Sequence, residues 1–293
     1  MRFHGFLLLV FLATRPAWAE IQLTQADGSN LALPRPAATI VTLSPHLAEL
    51  VFDAGAGPAL AATVEYSNYP QAAADLPRVG DAFRIDVERV VSLRPDLVMA
   101  WDSGNPRQAI EQLRLLGLPV WSVEIRKPEE IAGALRQIGL ATGRTETAAA
   151  AAAAFEQRLE SLGHCYAGRP ELSYFYQIAD RPLFTINGDH LIAQGLRLCG
   201  GRNIFADEPV LAFQVSHESV IAANPDVLFA PHLPAAANPL QTWREWPAIR
   251  AVRNDALFLL PADEISRATP RWLDAIEIAC RLMDDLPSRR DHE

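Results

Sequence analysis

The chain has 293 residues, which suffices for two ordinary domains or for one large α/β unit. Hydrophobic residues make up 49% of it and charged residues 21%, a composition that excludes an intrinsically disordered chain. The formal net charge is −9, and the sequence contains no cluster of basic residues. These properties exclude a protein that binds nucleic acid or an anionic membrane surface through its charge.

Residues 1–19, MRFHGFLLLVFLATRPAWA, have the pattern of a cleavable secretory signal peptide. Arg2 gives the segment a positive start, residues 6–13 are apolar, and residues 17–19 fit the small-x-small cleavage pattern. The apolar stretch is much shorter than the roughly 20 residues that a membrane-spanning helix needs. A buried N-terminal helix is the alternative. We therefore predict a soluble, exported mature chain without a lipid anchor at the cleavage site, because no cysteine follows it.

Short apolar runs alternate with helical patterns from residue 38 onward. The predicted strands are ATIVTL, ALAATV, DLVMAW and PVWSVE, and helices are expected near residues 45–54, 86–93, 105–116 and 128–141. Ser44 suits the N-cap of the first helix, Pro45 its first turn and Gly55 its end. Strands that alternate with helices predict parallel sheets with helices on their faces.

The strongest helix signal is TETAAAAAAAFEQRLESL, for which we expect Thr145 as the cap and Gly163 as the end. The α/β alternation then resumes with LSYFYQI, a helix near residues 190–198, DVLFAP, ALFLLP and a last helix over residues 270–286. The sequence thus predicts an α/β fold of two lobes with mainly parallel sheets, joined by one long backbone helix. The predicted units are residues 20–143, the linking helix 144–165, and residues 166–293.

One phrase occurs twice: ERVVSLRPDLVMA at residues 88–100 and ESVIAANPDVLFA at residues 218–230. In each copy a glutamate, Glu88 or Glu218, starts a short helix, a Pro-Asp pair ends it, and an apolar strand follows. Local convergence is one explanation, since such corners are common in parallel sheets. Because several residues coincide at fixed spacing, we favour two lobes of related topology that carry a glutamate at equivalent places.

The sequence lacks the nucleophile elbow, phosphate loop, zinc-protease motif and glycine-rich dinucleotide motif of common enzyme classes. Its seven histidines show no metal-ligand spacing. His46, at a helix N-terminus just after a strand, is expected to face the crevice of the sheet, with simple solvent exposure as the alternative. The three cysteines form no zinc motif, and an oxidising compartment would allow one disulfide and one spare thiol.

Aromatic residues are concentrated in predicted loops that follow strands. They are Tyr66 and Tyr69 in EYSNYP, together with Phe83, Trp101, Phe184 and Phe213. Aromatic side chains in loops, rather than at core periods, can line an apolar cleft for a large flat ligand. Packing is the alternative for any one of them, but the set comes from both predicted lobes.

Several segments carry a family resemblance. They are TLSPHLAEL, YSNYP, IDVERVVSLRPDLVMAWDSGN, QLRLLGLPV, LFTINGDHLIAQGLRLCGGRNIF, QVSHESV and SRATPR. From about residue 38 to residue 286 the chain resembles the periplasmic cobalamin (vitamin B12)-binding proteins of bacterial ABC importers, whose two lobes are joined by one rigid helix. The resemblance implies a ligand cleft between the lobes, a corrinoid as transported cargo rather than cofactor, and no enzymatic activity.

The resemblance also implies roles for individual residues. The family's cleft residues correspond to Tyr66, Trp101, Phe184 and Asp263. The glutamates with which the family docks onto arginines of the membrane permease correspond to Glu88 and Glu218.

Two departures from the family pattern concern the cleft. Well-known cobalamin binders carry a cleft tryptophan in each lobe where this chain has Ala82 and Ala212, and Phe83 and Phe213, which follow these alanines, are candidate substitutes. Haem receptors of the same fold tend to have a tyrosine after a Val-Gly pair. Asp81 stands there in this chain, which counts against haem.

Within this frame we expect Cys199 and Cys280 to form the disulfide, because the bridge would clamp the last helix onto its lobe and leave Cys165 spare. We interpret the chain as a monomeric periplasmic protein that captures cobalamin or a related corrinoid for an ABC importer, without a metal site. A binding protein for a ferric siderophore or another metal chelate is the first alternative. An enzyme with a chelatase-like bilobal fold that uses His46, and a surface adhesion module, are rivals from other classes.

Overall fold

A computed structural model of the protein describes residues 20–234 and 237–286. The predicted signal peptide lies outside the described residues. Within them the chain forms two α/β lobes on either side of one long helix, so the predicted fold class is confirmed. No helix in these two ranges is both long enough and apolar enough to cross a membrane.

The N-terminal lobe contains a four-stranded parallel sheet of order β4-β3-β5-β6 and a separate antiparallel β1-β2 hairpin. Its strands are β1 Ile21–Thr24, β2 Asn30–Leu33, β3 Ile40–Thr42, β4 Leu60–Ala62, β5 Leu97–Trp101 and β6 Val120–Val123. Its helices are α1 Pro45–Asp53, α2 Gln71–Ala74, α3 Val87–Ser92, α4 Arg107–Leu115 and α5 Pro128–Thr142, with a 3₁₀ turn at Gly57–Ala59.

Both faces of this sheet are buried. Val98 and Ala100 of β5 belong to a core with α3 and α4, whereas Leu97 and Met99 belong to the core that includes α1 and α5. This alternation is the period-2 pattern of a strand, and burial on both faces explains why the strand sequence LVMAW is continuously apolar.

The C-terminal lobe contains a parallel sheet of order β10-β7-β12-β13 and an antiparallel sheet of order β11-β9-β8. Its strands are β7 Leu172–Tyr176, β8 Ala179–Asp180, β9 Leu183–Ile186, β10 Gly201–Asn203, β11 Ala212–Gln214, β12 Val227–His232 and β13 Leu257–Pro261. Its helices are α7 Leu191–Leu198, α8 His217–Ala223, α9 Arg250–Arg253, α10 Ala262–Ser266 and α11 Trp272–Asp284, with a 3₁₀ helix at Gln241–Glu245.

The long helix α6 spans Thr145–Tyr166 and is tied to both lobes. Glu156 pairs with Arg136 of α5 through contacts of 2.7 and 2.6 Å. Two residues further on, Arg158 pairs with Asp274 and Glu277 of α11 at 2.7 and 2.8 Å.

The predicted ends of this helix were wrong in detail. Arg144 is the N-cap residue, Thr145 is already helical, and the helix continues past Gly163 to Tyr166. Gly163 costs the helix only about 1 kcal/mol relative to alanine. The ion pairs that Glu156 and Arg158 form with the two lobes offset this cost, so the helix continues past the glycine.

The repeated phrase builds the same corner in each lobe. Asp96 accepts hydrogen bonds from the backbone N–H groups of Ala38 and Thr39, just before β3, at 2.9 and 3.0 Å. Asp226 accepts from the backbone N–H of Ser173 in β7 at 2.9 Å. An arginine pairs with each aspartate, Arg35 at 2.7 Å and Arg250 at 2.9 Å. The Pro-Asp pair therefore joins the end of each short helix to a neighbouring strand, which is a structural role.

Candidate ligand cleft and docking surface

The side chain of Asn105 forms hydrogen bonds to two segments that carry expected cleft residues, Trp101 and Phe83. Its side-chain oxygen accepts a hydrogen bond from the backbone N–H of Trp101 at 2.7 Å. Its amide group donates to the carbonyl oxygens of Leu43 and Ala82 at 2.8 and 2.9 Å. Since Leu43 and Trp101 lie at the carboxyl ends of parallel strands, one buried amide holds this edge of the sheet together.

Phe83 projects from that edge into solvent and is 74% exposed. The carboxylate of Asp81 accepts from the backbone N–H groups of Phe83 and Arg84 at 2.8 and 2.7 Å, which fixes the turn that presents the ring. Trp101 is partly buried, and the ring of His46 packs edge-on against it with centroids 5.5 Å apart.

His46 is held as a neutral imidazole. Burial, with a smaller contribution from the nearby Arg267 guanidinium, lowers the pKa of His46 to about 4. Its Nδ1 lies 3.2 Å from the hydroxyl of Ser44, the predicted cap residue, whose side chain makes no cap hydrogen bond. The structure thus places His46 as a packing partner of Trp101.

Tyr66 is the most exposed aromatic residue of the expected set, at 77%. Its φ of 65° lies in the left-handed region, which a bulky side chain adopts only when its surroundings impose it. Two arginines hold this loop: Arg267 donates to the Tyr66 carbonyl at 2.9 Å and Arg78 to the Ser67 carbonyl at 3.1 Å. The exposed ring therefore stands on a rigid backbone.

Phe184 and Phe213 come from neighbouring strands but occupy different faces. In the β9-β11 register Phe213 is opposite Thr185, whereas Phe184 is opposite Gln214. Because paired residues share a face and successive residues alternate, the two rings point to opposite sides of the small sheet. Phe213 packs against Phe205 with centroids 5.9 Å apart. Phe184 shares its face with Ala212, which is opposite Ile186.

Asp263 is the expected cleft residue that connects the two lobes. Its carboxylate accepts hydrogen bonds from Asn68 of the N-terminal lobe at 2.7 Å and from Arg267 of its own lobe at 2.8 Å. Arg267, 7% exposed, also donates to the side-chain oxygen of Asn68 at 2.7 Å. Tyr66 and Asp263 are therefore fixed relative to each other by one guanidinium.

The same guanidinium reaches Glu49, a carboxylate that is 1% exposed within α1. Arg267 lies 2.7 Å from Glu49, and Arg271 approaches it at 3.0 and 3.1 Å. The hydroxyl of Thr269 donates to it at 3.1 Å. Arg271 also lies 3.6 Å from the centre of the Tyr69 ring, a cation–π contact. We call Glu49, Thr269, Arg267 and Arg271 the inter-lobe joint.

A second carboxyl group lies beside the joint. Asp53, one turn after Glu49, has a buried side-chain oxygen without a hydrogen-bond partner. Burial and the charge of Glu49 raise the pKa of Asp53 to about 7, although Arg271 acts in the opposite direction. Its position at the C-terminal end of α1 adds an unfavourable interaction with the helix dipole.

Replacing Asp53 by asparagine is expected to stabilise the protein at alkaline pH. The folded-state pKa lies above the ordinary value of 3.8, so the folded state holds a proton that the unfolded state has lost, and stability falls as pH rises from 4 to 7. The variant should unfold with nearly wild-type free energy at pH 4 and with about 4 kcal/mol more at pH 8, because a shift of about three pKa units corresponds to about 4 kcal/mol. Urea titrations at both pH values measure this. An equal effect of the substitution at pH 4 and pH 8 would contradict it.

The two glutamates expected to dock lie on exposed first turns. Glu88 is in the first turn of α3, whose cap residue Asp86 accepts from the backbone N–H of Arg89 at 3.0 Å. Glu218 is in the first turn of α8, whose cap residue Ser216 accepts from the backbone N–H of Ser219 at 3.2 Å. Each carboxylate thus stands on a capped helix start, one in each lobe.

The structure contains the expected Cys199–Cys280 disulfide, with the two Cα atoms 5.0 Å apart. Cys165 is an exposed free cysteine on α6. Across residues 20–234 and 237–286 no group of three or more histidine, cysteine or acidic side chains is arranged to hold a metal ion.

Sequence reasoning missed the joint. The signal was present, because Glu49 and Asp53 are four residues apart and therefore share a face of an otherwise apolar helix. RATPR was noticed only as a family marker, whereas Arg267 and Arg271 are the ion-pair partners of Glu49.

Comparisons with known proteins agree with this architecture. The sequence profile of the periplasmic binding protein family matches residues 40–264. The vitamin B12-binding protein of Vibrio cholerae serotype O1 is 39% identical over 253 residues, which cover 86% of this chain and 91% of that protein. The vitamin B12-binding protein of Vibrio campbellii is 36% identical over 256 residues, covering 87% and 92%.

A solved structure gives the same result in three dimensions. The crystal structure of the periplasmic vitamin B12-binding protein of Vibrio cholerae superposes with a TM-score of 0.78 at 37% identity. The superposition covers 85% of this chain and 97% of that one. These relatives are binding proteins.

Proposed function

Because the chain belongs to the periplasmic binding protein family, we propose that it captures cobalamin or a related corrinoid and delivers it to an ABC importer. The observation that carries the proposal is the 39% identity, over 86% of this chain, to a protein named for binding vitamin B12. The exposed rings of Tyr66 and Phe83 in the N-terminal lobe and the partly buried ring of Phe184 in the C-terminal lobe support it, since a corrinoid presents a large flat apolar surface.

In this proposal Tyr66, Phe83 and Trp101 supply ring faces from the N-terminal lobe, and Phe184 does so from the C-terminal lobe. Asp263 offers a carboxylate oxygen to an amide N–H group of the ligand. Phe213 has a supporting part, because it packs on Phe205 on the face opposite to Phe184. The protein performs no chemical step, and the corrinoid is cargo. A neutral His46 packs against the ring of Trp101 and thereby orients it.

The mature protein should bind cobalamin in one-to-one stoichiometry, and replacing Tyr66 and Phe184 together by alanine should weaken binding. The expected loss is about 1–3 kcal/mol for each ring, from the apolar area that no longer leaves water. Isothermal titration calorimetry with cyanocobalamin measures it. Leu115→Ala is the control, because Leu115 is 88% exposed at the end of α4 and outside the proposed cleft. Saturable heat with a ferric siderophore and none with cobalamin or cobinamide would contradict the proposal and show that the protein binds siderophores instead.

We further propose that Glu88 and Glu218 dock onto cationic residues of the permease, one from each lobe. Alanine at either position should leave cobalamin affinity unchanged and slow transport, and the double variant should be the most impaired. Breaking a desolvated charge pair at an interface typically costs about 2–5 kcal/mol. Surface plasmon resonance with the chain's own importer in nanodiscs measures complex formation.

The matched control for this experiment is Glu129→Ala, because Glu129 is also an exposed glutamate in the first turn of a helix, α5. Wild-type docking by both single variants, combined with earlier thermal unfolding, would assign the two glutamates to helix stability alone. The proposal includes export by cleavage after residue 19 and a monomeric mature protein. N-terminal sequencing and gel filtration of the secreted product test these two points.

A further inference from the structure

His217, the residue before Glu218, packs against two tryptophans that also contact each other. Its ring centroid lies 5.0 Å from that of Trp243 and 5.3 Å from that of Trp246, with interplanar angles of 38° and 33°. The two indoles are 5.5 Å apart. The three rings form a compact cluster, which we call the aromatic clamp, at the first turn of α8.

The clamp is fixed to the core of the C-terminal lobe. Trp243 is fully buried, and its indole N–H donates to the side-chain oxygen of Gln177 at 2.7 Å. Gln177 is also fully buried and donates in turn to the carbonyl of Pro239 at 3.0 Å. Trp243 meets Phe175 of β7 edge-on at 5.6 Å. His217 therefore contacts a side chain that is fully buried and hydrogen-bonded within the core.

Among the described residues, the N-terminal lobe shows no such clamp at the equivalent place. There Val87 precedes Glu88, and it packs with the apolar core below α3. Both helices have a capping residue and a glutamate in the first turn. The two lobes therefore share a short capped helix with a glutamate in its first turn, and, in the part of the chain that the structure describes, the aromatic clamp occurs only beside the helix that carries Glu218.

Electrostatics connect His217 to Glu218 as well. The pKa of Glu218 lies below its ordinary value, because the Glu218 carboxylate accepts hydrogen bonds from the Glu218 backbone N–H and from Ser216. His217 lowers this pKa further. The segment that packs on His217 also carries Arg244 and Glu245, and Arg244 is paired with Asp255 at 2.8 Å. Glu218 is the charged residue on α8 itself that adjoins the imidazole.

We propose that His217 is a positioning residue for docking: held by Trp243 and Trp246, it fixes the first turn of α8 so that the Glu218 carboxylate meets the permease in one orientation. The inference depends on the proposed docking function. A helix of seven residues has little stability of its own, so an anchor at its first residue decides how precisely its first turn is placed. Pre-ordering a contact residue lowers the entropy lost on association and slows dissociation.

The test is a double-mutant cycle on docking to the importer in nanodiscs. His217→Ala should speed dissociation roughly tenfold, within the range of coupling between neighbouring residues. His217→Phe, which keeps a flat ring in contact with both indoles, should restore most of the residence time. In a Glu218→Ala background, His217→Ala should change nothing further, because its effect passes through the carboxylate. Cobalamin affinity should be that of the wild type in every variant.

Each outcome separates the inference from the function on which it rests. If Glu218→Ala docks like the wild type, the docking proposal fails and the inference falls with it. If Glu218→Ala weakens docking but His217→Ala has no effect, only the inference fails. It also fails if the effects of the two substitutions add, or if His217→Phe is as impaired as His217→Ala, since a general loss of folding would do the same. Melting curves of the phenylalanine variant keep the test valid should the alanine variant be poorly folded.

Discussion

Replacing Glu49 by glutamine is expected to lower the free energy of unfolding by about 3–5 kcal/mol, the usual result of removing one partner of a buried ion pair. Glu49 is 1% exposed and is the common partner of Arg267, Arg271 and Thr269. The amide cannot neutralise two guanidinium groups that remain partly or wholly buried. For a protein of this size the loss corresponds to roughly 10 °C in the melting temperature.

Glu156→Gln is the matched control for this substitution. The pair of Glu156 and Arg136 has two short contacts, of 2.7 and 2.6 Å. Both of its side chains are nearly half exposed, however. Exposed pairs contribute only about 0–1 kcal/mol, so this variant should melt close to the wild type. If the two variants melt alike, the joint does not hold the lobes together.

The Glu49 substitution should also change the geometry of the proposed ligand cleft. Arg267 holds the carbonyl of Tyr66 and the carboxylate of Asp263 as well as Glu49. A guanidinium that loses its buried counter-charge will shift, and the strained backbone of Tyr66 will lose part of its support. We therefore expect weaker cobalamin binding by Glu49→Gln and unchanged binding by Glu156→Gln, measured in the same calorimetric assay.

The fold could be predicted because its signals are local. Pro45, the repeated Pro-Asp corner and the alternation of apolar runs each specify a structure within a few residues. Gly55 is an example: its φ of 75° and its close approach to Thr147 of α6 both exclude a side chain, and the sequence placed it at the end of the first helix.

Two features could not be predicted in the same way: the contacts of the inter-lobe joint, and the sheet face on which each expected cleft residue lies. Glu49 meets Arg267 and Arg271 across 218 and 222 residues of sequence, and nothing local joins them. Phe184 and Phe213 were grouped by residue type, but the face of each ring depends on the register between β9 and β11. Such properties arise only when separate elements are packed together.

Removing the disulfide by replacing Cys199 and Cys280 with alanine is expected to destabilise the protein about as much as the loss of Glu49. The bridge spans 81 residues, and the chain-entropy model assigns a loop of that length about 4–5 kcal/mol. Both cysteines are fully buried, at the end of α7 and within α11. The packing around them is close, since a side chain at Gly195 would collide with Ile276.

Urea denaturation with and without reductant measures this effect, and Cys165→Ser is the control. Cys165 is exposed and unpaired, so the control should match the wild type under both conditions. The double alanine variant should be insensitive to reductant. Because α11 begins directly after Arg271, a loosened helix should also weaken the inter-lobe joint, and cobalamin affinity should fall, though less than in Glu49→Gln. A double variant with wild-type stability would mean that the packing of α7 on α11 holds this lobe without the covalent bond.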